Sequence, residues 1–290
     1  MLELHRKDPR LANEAPPEFD AFYSRNVLYY SVFHVMPLMA ILTGVTRASI
    51  VACIVLYFVR ILFITAGYHC YFAHRAYKTS RIFQLILAIG AQTSGQGSAM
   101  KWAATHHYHH AHADDGNDLH SPHRGFWYAH MGWLFTKRYE YLIPPNPKYL
   151  TKFPELVWLD RYFYLPTIAM AAVVWAFLGW PGLFIGYGLS TVLTFHATFC
   201  VNSLCHLFGF RTYETPDNSR NNWFVSLIML GGGWHNNHHH SPRSARQGIR
   251  WWEIDITYYS LRMLQSLHII WDVYDPTRYA LKSKVRNFPR

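Results

Sequence analysis

Charge is scarce in this sequence. Asp, Glu, Lys and Arg make up 15% of its 290 residues, where an ordinary soluble domain carries about 25%. The shortage argues against a freely soluble enzyme, and an apolar content of 51% excludes a disordered or fibrous chain. Cysteine is sparse too. Cys53, Cys70, Cys200 and Cys205 form no CxxC pair, which leaves neither a disulfide framework nor a thiolate zinc site. The opening residues Met1 to Asp8 mix charges and contain no apolar core, so no cleaved secretory signal is expected. No repeat, low-complexity tract or linker is visible. A single domain over residues 1–290 is expected, with residues 1–26 as a polar lead-in.

Two things are abundant instead, and the first is long apolar runs. Val27 to Thr46 carry no charge, and about 20 such residues cross a bilayer core of about 30 Å. Arg47 interrupts, and the next run, Ala48 to Gly67, contains Arg60 as its one charge. Tyr162 to Phe210 lack Lys, Arg, Asp and Glu altogether, with a break at Gly179-Trp180-Pro181-Gly182. The pattern predicts an all-α integral membrane protein with four transmembrane helices, at about 27–46, 48–67, 162–179 and 183–205, paired as two hairpins. Ile82 to Met100 is uncharged but studded with Gln and Ser, as an interfacial helix is. Trp223 to Trp234 is too short to cross and reads as a re-entrant or core segment. The 27 Lys and Arg against 17 Asp and Glu give +10. With these spans, every Lys and Arg except Arg47 and Arg60 lies on the side of both termini, which the positive-inside rule places in the cytoplasm. The charge therefore calls for no nucleic acid.

The second abundance is histidine, with 19 residues. His69-Cys-Tyr-Phe-Ala-His74 is an HX4H, His106-His-Tyr-His109-His110 an HXXHH, and His235-Asn-Asn-His238-His239 a second HXXHH. Asn202-Ser-Leu-Cys-His206 closes the fourth span. On a helix, positions i, i+3 and i+4 share a face, so His106, His109 and His110 project together, as do His235, His238 and His239. Imidazoles gathered without carboxylates suit iron, copper or zinc. Four crossings bring all the clusters to one side of the membrane, where they can share a site. His107, His112 and His240 fall off these faces, and His34 and His196 read as hydrogen-bonded interior residues. Arg60 either snorkels or pairs inside the bundle.

These motifs resemble the membrane-bound fatty acid desaturases, nearest the Δ9 acyl-CoA and acyl-lipid (stearoyl-CoA desaturase-like) branch. Supporting strings are Gly67-Tyr-His69, His74-Arg75-Ala-Tyr77-Lys78, Asp114, Asp118-Leu-His120-Ser-Pro122, Gly125-Phe126, His130-Met-Gly-Trp133 and Trp234-His235-Asn236. The tail Trp251-Trp-Glu-Ile-Asp255 is similar to prokaryotic members, which implies a bacterial inner membrane. The resemblance implies a cytosolic helical cap over a di-iron centre held by His69, His74, His106, His109, His110, His206, His235, His238 and His239. Asn202 would reach one iron through water. The implied reaction is O2-dependent desaturation of a long-chain acyl-CoA or acyl-lipid. Its two electrons would come from a separate ferredoxin- or cytochrome b5-like donor, since no HPGG string or Rossmann glycine pattern is present.

Substrate contacts follow in part. Thr198 and Phe199 match the family's bend in the acyl tunnel, and Lys137 and Arg138 stand at a basic headgroup position. Counting helical turns back from His69 brings Ile61 and Tyr57 to a similar face, where they are expected to close the tunnel and limit chain length. The segment before the first HXXHH, Trp102-Ala-Ala-Thr105, departs from the charged residues of animal acyl-CoA enzymes, so the carrier stays open. A related di-iron alkane or lipid hydroxylase shares the histidine clusters, but the HX4H, NSxxH and DxHSP strings favour the desaturase branch. A histidine-rich metal transporter would instead scatter its histidines and place ionisable groups inside the spans.

Overall fold

A computed structural model describes residues 20–276, and it is mostly helical. Residues 1–19 of the expected lead-in lie outside the described part. Among the described residues, three helices are long and apolar enough to cross a membrane: Arg25–Thr43, Arg47–Ala73 and Leu165–Leu207. The first comprises α1 (Ser24–Val35), a tight turn at Met36–Met39 around Pro37, and a last turn ending at Gly44. The second begins at a reciprocal cap, in which the Thr46 and Ser49 side chains accept each other's backbone N–H, and runs as α2 (Arg47–Leu62).

The third, 43 residues long, would measure about 65 Å if straight, twice a bilayer core. It is not straight. Gly179 sits at φ +62°, ψ −159°, a conformation that glycine tolerates and other residues resist. A Cβ on Gly186 would lie 3.5 Å from Val174 Cγ1, although twelve residues of straight helix would separate them by about 18 Å. The chain therefore doubles back. Its arms are α7 (Leu165–Pro181) and α8 (Ser190–Leu207), the latter entered through a wide π-helical stretch, Gly182–Leu189.

Between the second and third long helices lie α3 (Arg81–Gln92), α4 (Ala99–His112), α5 (Phe126–His130) and α6 (Pro154–Arg161), and after the third come α9 (Trp223–Ile228), α10 (His235–His240) and α11 (Ile256–Ser266). A two-stranded antiparallel ribbon pairs β1 (Lys78–Thr79) with β2 (Ile270–Trp271), tying the exit of the HX4H segment to the C-terminal region. Apolar side chains left exposed on α3 (Ile82, Ile86, Ile89), α9 (Trp223, Phe224, Leu227) and α11 (Tyr259, Met263, Leu267) form outward faces, so α3 is apolar on its outer side as well as its inner one.

Two polar ties cross the apolar bundle. Arg60 is fully buried, and its Nη1 donates to Ser190 Oγ at 3.0 Å and Thr191 Oγ1 at 2.8 Å while the guanidinium sits 4.8 Å from the Tyr187 ring. It pairs inside the bundle and does not snorkel. The second tie is a chain of imidazoles. His34 Nδ1 lies 2.7 Å from the Tyr30 carbonyl, His34 Nε2 lies 3.0 Å from His196 Nε2, and His196 Nδ1 lies 2.9 Å from His130 Nε2. A carbonyl can only accept, so the His34 proton sits on Nδ1 and every link of the chain takes one direction. His34 and His196 are hydrogen-bonded interior residues, as expected.

Candidate metal centre

Each cluster owes its convergence to a local backbone feature. From Phe63 to Ala73 the second long helix is π-helical. Its hydrogen bonds reach five residues back, and the His74 N–H donates to the His69 carbonyl at 3.0 Å. The wider turn brings residues five apart to nearly the same face, so the His69 and His74 ring centroids lie 4.8 Å apart. An α-helix would have turned His74 away. Helix α4 is capped by Ser98, whose hydroxyl accepts from Lys101 N, and it carries His106, His109 and His110 on one side. Helix α10 starts after three glycines. A Cβ on Gly233 would stand 2.1 Å from Ser226 N and 2.6 Å from Asn222 O, so only glycine lets the chain approach α9 and present His235, His238 and His239 inward.

The nine expected histidines gather into two nests. His69, His74, His106 and His238 offer nitrogens all within 4.8 Å of one another, and His109, His206, His235 and His239 form the second such group. His110 joins the first, its Nε2 3.1 Å from His106 Nε2 and 2.9 Å from His238 Nε2. In the second, His235 Nε2 lies 3.0 Å from both His206 Nε2 and His239 Nε2.

Carboxylates behind the rings decide what these nitrogens are. His109 Nδ1 donates to Asp118 at 3.1 Å, His206 Nδ1 to Asp114 at 3.0 Å and His239 Nδ1 to Asp217 at 2.8 Å. With the proton on Nδ1, three Nε2 lone pairs point into one buried space, and His109 Nε2 has no hydrogen-bond partner there. Lone pairs so directed repel unless a cation shares them, and carboxylate-backed imidazoles at this spacing are able to hold one. The donor set fits two metal ions, and the Gln247 side-chain amide stands behind the His69 ring, 3.2 Å from its Nδ1.

Burial agrees with that reading. It drives His74, His106, His110, His235 and His238 well below the ordinary imidazole range, helped by the neighbouring rings, so they stand neutral and ready to ligate. Burial also lowers His239, to about 4, although Asp217 opposes the shift. For the carboxylates burial pulls upward but their imidazole partners win, and Asp114, Asp118 and Asp217 all lie below the usual range.

A narrow passage runs past the nests. A cavity of about 460 Å³, lined by Tyr23, Arg25, Lys101, Glu140, Asp160 and Phe163 among others, forms its mouth. Through Tyr30, Gln96 and Tyr139 it meets a smaller space that touches His106, Thr198, Phe199 and Asn202. That space in turn shares Trp102, His106, Thr198 and Asn202 with a pocket ending at Ile64, Thr65, Val201 and Met229. Thr198 and Phe199 line the space beside His106, and Gln96 Nε2 donates to Thr198 Oγ1 at 2.9 Å.

Other expectations are corrected. Tyr57 and Ile61 do not line this passage: Ile61 is fully buried against Ala197, Met229 and Leu230, and Tyr57 Oη donates to Ile228 O at 2.9 Å. Arg138 is no headgroup contact. Its side chain is 1% exposed and its Nε donates to Asp20 at 2.5 Å. Lys137 is half-buried and lines none of the three cavities. Sequence reasoning missed Asp217 and Gln247 as supports and Trp102, Gln96 and Tyr30 as walls. Asp114 and Asp118 did appear in the quoted strings, without a role.

Comparison with known proteins bears on the same region. Residues 46–268 match the family model for fatty acid desaturases. Over 251 residues the chain is 38% identical to the sn-2 palmitoyl-lipid 9-desaturase of Nostoc sp. (strain 36), covering 83% of this chain and 87% of that protein. It is 34% identical to the sn-1 stearoyl-lipid 9-desaturase of Anabaena variabilis (86% and 92% covered) and 36% identical to the acyl-CoA C20 Delta5-desaturase of Anemone leveillei (87% and 82% covered).

Proposed function

This chain belongs to the fatty acid desaturase family, and from that premise we propose that it inserts a cis double bond at C9–C10 of a long saturated acyl chain carried by a membrane glycerolipid. It is an oxidoreductase of lipid metabolism. The observation that carries the reading is the pair of histidine nests set beside adjoining pockets, the innermost of which touches both nests and the apolar side chains Ile64, Val201 and Met229.

Two irons fit the nests, in the first His69, His74, His106, His110 and His238, and in the second His109, His206, His235 and His239 with Asn202 nearby. When bound, they supply the O2 chemistry that an unactivated alkyl C–H requires. The chain's own residues do the rest. An acyl chain offers no polar handle, so shape must place C9 and C10. Phe199 and the Gln96-braced Thr198 form the wall at the metal nests, and Ile64, Val201 and Met229 receive the methyl end. Each turnover consumes one O2, two protons and two electrons and releases two waters. A separate ferredoxin- or cytochrome b5-like protein supplies the electrons.

The mouth favours a lipid over coenzyme A. Its cations Arg25 and Lys101 are matched by Glu140 and Asp160, and Asp160 already accepts from Ser98 and Asn146. A carrier with several phosphates needs a surplus of cations that this mouth lacks. The bundle is read as four crossings, the Gly179 hairpin supplying the last two, with termini and metal centre on the cytoplasmic side of a bacterial inner membrane. The whole chain is read as one desaturase domain.

The test is expression in cells with defined lipids, followed by gas chromatography with double-bond location. A new Δ9 monounsaturate in glycerolipids is expected, and a hydroxylated product would instead favour the related hydroxylase. His109→Ala should lower iron content and reduce product by at least about 100-fold while the protein still reaches the membrane. Full activity in that variant would sink the metal assignment.

A further inference from the structure

A further cleft, of about 360 Å³, is walled in part by the segment that carries His69 and His74 and shares no lining residue with the substrate passage. Its wall continues the HX4H segment: Tyr71 lies between the two histidines, and Arg75, one peptide unit beyond His74, is followed by Tyr77 and Lys78. Arg75 adopts φ +52°, a left-handed conformation that non-glycine residues seldom take. The turn sets its guanidinium 5.1 Å from the Tyr149 ring, and Tyr149 Oη donates to the Phe72 carbonyl at 2.5 Å.

Lys152 and Arg243 face the same space. Lys78 is neutralised by Asp272 at 2.8 Å. Arg75, Lys152 and Arg243 meet aromatic rings and, among the described residues, no carboxylate. Three cations without counter-ions around one concave opening create a strong local positive potential. On the floor, Gln84 is buried with its Oε1 unpartnered, while its Nε2 donates to Tyr71 Oη at 3.0 Å.

We propose that this cleft is where the acidic one-electron carrier protein docks and electrons enter the metal centre. The inference rests on the desaturase reading, which requires two electrons per turnover from outside the chain. Charge names the partner as an acidic protein, and position names its task. Among the cations of the charged openings, Arg75 alone is joined by a single peptide bond to a histidine of the nests. The carrier delivers one electron per encounter, is itself oxidised, and leaves, so two encounters complete the balance with O2 and two protons. A docking site of this kind gains more in encounter rate than in residence, as exposed charges do.

The experiment uses the full-length protein in detergent or nanodiscs with reduced plant-type [2Fe–2S] ferredoxin as the probe. Lys152→Glu and Arg243→Glu should each raise the KM for ferredoxin about 10-fold, with kcat at saturating ferredoxin within about twofold of the parent. The double variant should also lose most of the salt dependence of kcat/KM. Single turnover after chemical reduction with dithionite bypasses docking, and product per protein should equal the parent's in both variants, which also certifies their folding. A parent that works with ferredoxin and variants with unchanged KM overturn the proposal. So does an unchanged KM together with weakened binding to phosphatidylglycerol vesicles, which would give the cleft to a lipid phosphate. A parent that makes no unsaturated product by either route overturns the desaturase reading, a different failure.

Discussion

A histidine becomes a ligand through what stands behind it. Asp118, Asp114 and Asp217 fix the protons of His109, His206 and His239 on Nδ1 and so aim three Nε2 lone pairs at one point. Asp118→Asn keeps the shape but allows the amide to present N–H instead of an acceptor. Metal affinity at the second nest should fall about 10- to 100-fold. Iron per chain, measured after dialysis against a graded chelator, should drop toward one while the far-ultraviolet circular dichroism stays unchanged; two irons retained at the parent's affinity would refute the role. At this scale the sequence was generous with the ligands, because i, i+3, i+4 spacing is a direct statement about one helix face. It was silent about Asp217, which lies 22 residues before His239 in a loop with no periodicity to mark it. Arg138 shows the converse. A basic residue looks available in sequence until its carboxylate partner, Asp20, is seen to lie 118 residues away.

Between residue and fold stands the helical segment. Hydropathy ends the second span at Gly67, yet the helix runs on to Ala73 because the π-helical stretch carries the first histidine pair beyond the apolar run. Nothing in residue type announces a π turn, and the HX4H spacing makes sense as a shared face only once it is known. The glycines before α10 are similar: their run was visible, their reason was not. Gly233→Ala forces a Cβ into Ser226 N and Asn222 O, so the α9–α10 junction must shift. A loss of roughly 2–4 kcal/mol is expected. The midpoint of thermal unfolding in detergent should fall accordingly, and a midpoint within a degree of the parent's would show the junction to be pliable.

Across the whole molecule, the proposed function assigns the limit on acyl-chain reach to the passage and not to one span. Its innermost pocket draws Ile64 and Thr65 from the second long helix, Val201 from α8 and Met229 from the turn after α9. Such a wall, built from three segments distant in sequence, could not be read from the spacing along one helix, and counting turns led to Ile61 and Tyr57 behind it. Met229→Ala opens space toward Ile61. The ratio of C18 to C16 products should rise at matched protein levels, because added apolar volume can be filled by extra methylenes. An unchanged ratio would place the ruler elsewhere.

The buried Arg60 also sets a timetable for biogenesis. Its hydroxyl partners, Ser190 and Thr191, come 130 and 131 residues later in the chain. At a synthesis rate of about 5–20 residues per second, the helix bearing Arg60 emerges on the order of ten seconds before either partner exists. In the four-crossing arrangement, that helix enters the lipid carrying an unsatisfied cation, a burden of roughly 2.5–3.5 kcal/mol on insertion scales. The same delay holds for His34, whose partner His196 follows 162 residues on. In that arrangement the first hairpin is provisional until the last one arrives with Ser190, Thr191 and His196 to complete it.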